Sequence, residues 1–112
     1  MLGALSELGP IRLSRNGTLS DNPYAWNQKA NVLFLESPAG VGFSYKEDGK
    51  YHQDDTSTAL LNFNALQSFF KKFPHLAEND FYLSGESYAG IYIPTLSMQL
   101  LEHKFPKHFK GK

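Results

Sequence analysis

Cysteine is absent from the 112 residues, so neither a disulfide nor thiolate chemistry can be built within the chain. No apolar run approaches the roughly 20 residues needed to span a bilayer. Eleven basic residues balance eleven acidic ones, and nothing in that neutrality points to nucleic acid or an anionic membrane as a partner. Met1 is followed directly by L-G-A-L-S-E-L-G-P, without the basic start and long apolar core of a signal peptide. The four histidines, His52, His75, His103 and His108, show no i, i+4 pairing, so neither a metal site nor a cofactor is expected. Gly40-Val41-Gly42 lacks the third glycine and the following helix of a nucleotide loop. What is present is a folding composition, 41% hydrophobic and 14% aromatic, long enough for one domain with a modest core.

Along the chain, residues 1–8 suit one or two helical turns, stopped by Gly9–Pro10. Ile11 and Leu13 alternate with polar residues ahead of Asn16–Gly17, which predicts a β-hairpin over residues 11–19. Residues 32–35 form a continuous apolar run, as in a strand covered on both faces. Asp54–Asp55 can cap a helix from about 56 to 73. On it Ala59, Phe63, Leu66, Phe70 and Phe73 make one apolar stripe, ended by Pro74. Phe81, Tyr82 and Leu83 suit a second buried strand. A further helix runs to about Leu101, kinked or restarted at Pro94. The basic tail, residues 104–112, is expected to be loose. Strand, helix, strand, helix predicts a parallel βαβ unit with a right-handed crossover.

The segment F-Y-L-S-G-E-S-Y-A-G, residues 81–90, carries the chemistry. A strand runs straight into a serine flanked by Gly85 and by Ala89–Gly90, with a helix behind it. A turn this sharp lifts a serine hydroxyl out of a sheet and sets the next N–H groups at a helix N-terminus. Ser87 is the expected nucleophile, and the backbone N–H of Tyr88 an expected oxyanion donor. The fit to G-x-S-x-G is displaced by one residue, since Ala89 takes the last glycine's place. A second segment, N-V-L-F-L-E-S-P-A-G-V-G-F-S-Y at 31–45, ends its apolar run in Glu36. On a shared parallel sheet Glu36 and Glu86 reach the same edge, where two partly desolvated carboxyls repel and at least one pKa rises.

With I-Y-I-P-T-L after the serine, L-S-E-L-G-P at 5–10 and N-P-Y-A-W-N at 22–27, these motifs resemble the serine carboxypeptidases, the lysosomal type above all. The resemblance implies a single partial α/β-hydrolase domain over residues 1–112, with a parallel βαβ core, a nucleophile elbow and an N-terminal β-hairpin. It implies release of C-terminal residues from peptides or proteins through a Ser87 acyl-enzyme at acidic pH. Glu36 and Glu86 would hold the terminal carboxylate, in a lysosomal or secreted protein. Asn16-Gly17-Thr18 is an N-glycosylation sequon on a predicted turn, available in that compartment.

Serine needs a base to take its proton. The family order is serine, aspartate, histidine, yet no aspartate follows Ser87. Glu102–His103 lies sixteen helical residues away, about 24 Å at ~1.5 Å per residue. The family's G-G-P-G stretch, source of a second oxyanion N–H, and the strand between the two assigned here are also missing. The chain therefore reads as a central piece of a larger enzyme (a truncated gene model, an alternative product or a pseudo-enzyme) and is expected to be inactive alone. It could associate with the rest of the fold or with a second copy. The alternatives are an acyltransferase or esterase on the same scaffold, or a non-catalytic fragment that binds a partner chain through its uncovered strands.

Overall fold

The computed structural model describes residues 3–111, which fall into two compact units that divide between residues 45 and 46. In the first, Gly3–Glu7 winds one wide helical turn, closed by the Leu8 N–H donating to the Gly3 carbonyl at 2.9 Å. Met1 and Leu2, included in the expected helical start, lie outside the described residues. Strands β1 (Ile11–Leu13) and β2 (Leu19–Asp21) pair antiparallel, with Ile11 opposite Asp21 and Leu13 opposite Leu19. The expected hairpin is there, extended two residues beyond Leu19.

Asn22 ties this unit together. It is only 3% exposed. Its Nδ2 donates to the carbonyls of Glu7 and Gly9 at 3.0 and 2.9 Å, and its Oδ1 accepts from the Tyr24 N–H at 3.1 Å. A buried amide satisfied on both sides costs little, whereas the carbonyls it serves would be left unpaired without it. In the sequence Asn22 is visible only as the first residue of N-P-Y-A-W-N; its cross-linking role needs contacts fifteen residues apart.

In the second unit, helix α1 (Asp55–Lys72) opens on a reciprocal cap. The Asp54 carboxylate accepts from the Ser57 N–H at 2.7 Å while the Ser57 hydroxyl accepts from the Asp54 N–H at 3.0 Å. Ala59, Phe63, Leu66 and Phe70 are buried as the stripe predicts; Phe73, at the C-cap, is not. Helix α2 (Ala89–Glu102) runs as one element through Pro94. Its Leu96 and Leu100 meet Phe63 and Leu66 to form the core, lined by Phe81, Leu83, Phe105 and Phe109.

Among the described residues the hairpin is the only sheet, and residues 32–35 and 81–83 are not strands of a regular ladder; the strand expected between them is not among the described residues. A strand exists only with a ladder partner, and apolar runs alone do not supply one. The parallel contact comes one element later. Phe81 bridges Phe109, with the Phe81 N–H donating to the His108 carbonyl at 3.0 Å and the Lys110 N–H to the Phe81 carbonyl at 2.8 Å. Helix α2 thus stands as the crossover between two parallel segments. The same bonds overturn the loose tail. Phe105 packs edge-on to Phe63 and Phe70, and Lys110 pairs with Asp80 at 3.2 Å. Phe105 and Phe109, within the basic run, are half-buried against the core.

Candidate active site

Ser87 sits at φ +59°, a left-handed conformation costing a non-glycine residue of order 1–3 kcal/mol. The chain turns there directly into α2. Ala89 donates to the Glu86 carbonyl at 3.1 Å, Gly90 to that of Ser87 at 2.9 Å, and Ile91 to that of Tyr88 at 2.9 Å. The turn is tight enough to dictate Gly85. A Cβ there would fall 2.4 Å from the Ala89 Cβ and 3.2 Å from Ile93. Gly85 therefore serves close packing of the incoming chain on the helix, while the serine itself bears the unusual φ. Glu86, Ser87 and Tyr88 are all exposed on this turn.

The Tyr88 hydroxyl donates to Asp55 Oδ1 at 3.1 Å, joining the turn to the start of α1. That bond to a carboxylate, more than the neighbouring charge, holds the phenol above its ordinary pKa. Sequence reasoning missed Asp55 as a partner of the turn. The acid in the first helical position was visible, but only as a cap candidate.

Glu36 belongs to the other unit, at the head of a looped segment. The Phe43 N–H donates to its Oε2 at 2.8 Å, and the Ser44 hydroxyl donates to its carbonyl at 2.5 Å. The Gly40 N–H closes the loop onto the Ser44 carbonyl at 2.7 Å. Gly42, at φ +55°, lies over the carboxyl so closely that a Cβ would be 2.1 Å from the Glu36 carboxyl carbon. The Phe43 bond is the main influence holding Glu36 below the usual carboxylate range. A carboxylate given a backbone donor is stabilised in its charged form, so a rise in at least one of the two carboxyls does not fall on Glu36 here.

No hydrogen bond joins Ser87 to a histidine among the described residues. His103 Nδ1 lies 2.9 Å from the Gln99 carbonyl with its ring against Phe63, His75 meets Phe73, and His108 lies 3.8 Å from Glu78. No group of three or more His, Cys, Asp or Glu residues suited to a metal ion occurs among the described residues.

The family model described as serine carboxypeptidase matches residues 1–111. This chain belongs to the serine carboxypeptidase family. It is 54% identical over 101 residues to the lysosomal protective protein of Mus musculus, an alignment covering 89% of this chain and 21% of the relative. It is 49% identical over 112 residues to the serine carboxypeptidase ctsa-4.1 of Caenorhabditis elegans, covering 97% and 24%. The crystal structure of KEX1(delta)p, a prohormone-processing carboxypeptidase from Saccharomyces cerevisiae, superposes with a TM-score of 0.83 at 38% identity, covering 94% of this chain and 24% of that one. The fold is thus that of a segment of the serine carboxypeptidases, and the chain spans under a quarter of the length of these relatives.

Proposed function

We propose that Ser87 is the acyl-accepting nucleophile of a serine-type carboxypeptidase acting on peptide and protein C-termini in an acidic lysosomal or secreted setting. The observation that carries this reading is the left-handed φ of Ser87 at the head of α2. A non-glycine residue keeps such a conformation only when its surroundings enforce it, and such strain gathers where a side chain must be presented. In the proposed reaction the Ser87 oxygen bonds to the last peptide carbonyl carbon and gives its proton to a base. The carbon–nitrogen bond breaks, and the C-terminal amino acid leaves with that proton. Water then attacks the acyl ester, releasing the shortened peptide and restoring the hydroxyl. The Tyr88 N–H donates to the oxyanion. Glu36 and Glu86 hold the terminal carboxylate, one of them donating a proton to it.

Among the described residues no hydrogen bond joins Ser87 to a histidine that could activate it, and the 112-residue chain is proposed to be inactive alone. The test extends the polypeptide on both sides to the length of the relatives and follows peptide trimming at acid pH. Trimming that falls by several orders of magnitude in Ser87→Ala supports the reading. Hydrolysis of C-terminally blocked but not free peptides would favour an esterase or acyltransferase instead. The short chain is expected to show little fluorophosphonate labelling.

The exposed apolar side chains of each unit favour a second part to this reading. Leu33, Phe34, Leu35, Val41 and Phe43 in one unit, and Tyr82, Ile91 and Met98 in the other, are open to solvent. We infer that they are faces for the remainder of the carboxypeptidase fold, with self-association as the competing outcome.

A further inference from the structure

We propose that Asn16 is an N-glycosylation acceptor whose side chain the β1–β2 turn already holds in a reactive arrangement. Asn16-Gly17-Thr18 is the one Asn-x-Ser/Thr sequence in the chain, and all three residues are exposed at the hairpin tip. The turn is closed by the Ser14 N–H donating to the Thr18 carbonyl at 2.9 Å and the Gly17 N–H to the Ser14 carbonyl at 3.0 Å. Within it Asn16 Oδ1 accepts from the Thr18 N–H at 3.2 Å and from the Thr18 hydroxyl, while the single Ser14 hydroxyl proton is shared among Asn16 Oδ1, the Thr18 carbonyl at 3.0 Å and Thr18 Oγ1 at 2.5 Å. Every polar contact of the side chain therefore falls on its oxygen, and Nδ2 has no partner among the described residues.

The chemistry follows from that asymmetry. An amide nitrogen is a poor nucleophile because its lone pair is delocalised onto the oxygen. Donors gathered on Oδ1 stabilise negative charge there and make the Nδ2 proton easier to lose. The co-reactant is a lipid-pyrophosphate-linked oligosaccharide, presented by a membrane transferase. Nδ2 bonds to the first sugar carbon, the bond from that carbon to the phosphate oxygen breaks, and the lipid pyrophosphate departs. The Nδ2 proton passes to a base of the transferase. A hydrophilic glycan at this tip projects from the hairpin, away from the Asn22 network that anchors its base.

This inference rests on the reading that the protein is made in the secretory pathway, and the experiment separates the two. The full chain is placed behind a cleavable leader and expressed in cultured animal cells; leader cleavage reports translocation independently of folding. The expected result is a glycosidase-sensitive mobility shift, with Asn16 converted to Asp in the peptide released by peptide N-glycosidase. Asn16→Gln and Thr18→Val lose the shift; Thr18→Ser, which keeps the hydroxyl, retains it. A translocated wild-type chain without glycan overturns the proposal. A glycan present with the added leader, but absent from the protein of its native source, overturns the compartment reading instead.

Discussion

At the scale of single residues, Glu36 shows how a loop sets a carboxyl's protonation. The Phe43 amide donates to its carboxylate, and Gly42 lies over it too closely to carry a Cβ. Because the folded pKa is lowered, the contact stabilises the loop above the free glutamate value and is lost as pH falls through the folded one. The Phe43 amide proton, followed by NMR, should therefore titrate with a midpoint below that of an unperturbed glutamate. Glu36→Gln should abolish the titration, whereas a midpoint at or above the ordinary value would contradict the assigned bond. For the proposed grip the consequence has a definite sign. An ionised Glu36 repels a substrate carboxylate, so binding strengthens as acid protonates it.

At the scale of elements, the second unit is held by α1 and α2 through a few large side chains. Leu66 is 1% exposed between Phe63, Leu96 and Leu100. Leu66→Ala removes those contacts and leaves a cavity, so it should cost about 2–5 kcal/mol, read from denaturant unfolding. Leu60→Ala, on the exposed side of the same helix, should cost far less. That contrast was legible in the sequence, because a helix imposes its period wherever one face is buried. The sharp turn into α2 was legible for a related reason: steric demands at Gly85 and Ser87 are local and write themselves into adjacent positions. Strand pairing was not. Which segment lies beside Phe81 depends on a contact twenty-eight residues away, with Phe109, and no local pattern in a run ending H-F-K-G-K announces it. Asn22 and Asp55 escaped notice likewise, their partners being remote in sequence.

For the whole molecule, the balance between buried and open apolar surface decides how the chain behaves in solution. Single exposed hydrophobic residues are ordinary, whereas contiguous ones mark a surface that something covers. Within residues 33–45, Leu33, Phe34, Leu35, Val41, Phe43 and Tyr45 are all open, Phe43 at 78%. Such a run cannot be solvated cheaply at ~25 cal/mol per Å² of apolar surface. The family's relatives are more than four times as long as the part matched here, which supplies a candidate covering of the same polypeptide. The isolated chain should consequently bind a hydrophobic-surface dye and sediment faster as its concentration rises. The polypeptide extended to the relatives' length should do neither. Phe43→Ser with Leu35→Ser should reduce dye binding by the short chain while leaving the helical signal of α1 and α2 unchanged. If the short chain instead remains a dye-free monomer across the concentration series, those side chains need no cover, and the proposed association with the rest of the fold loses its physical basis.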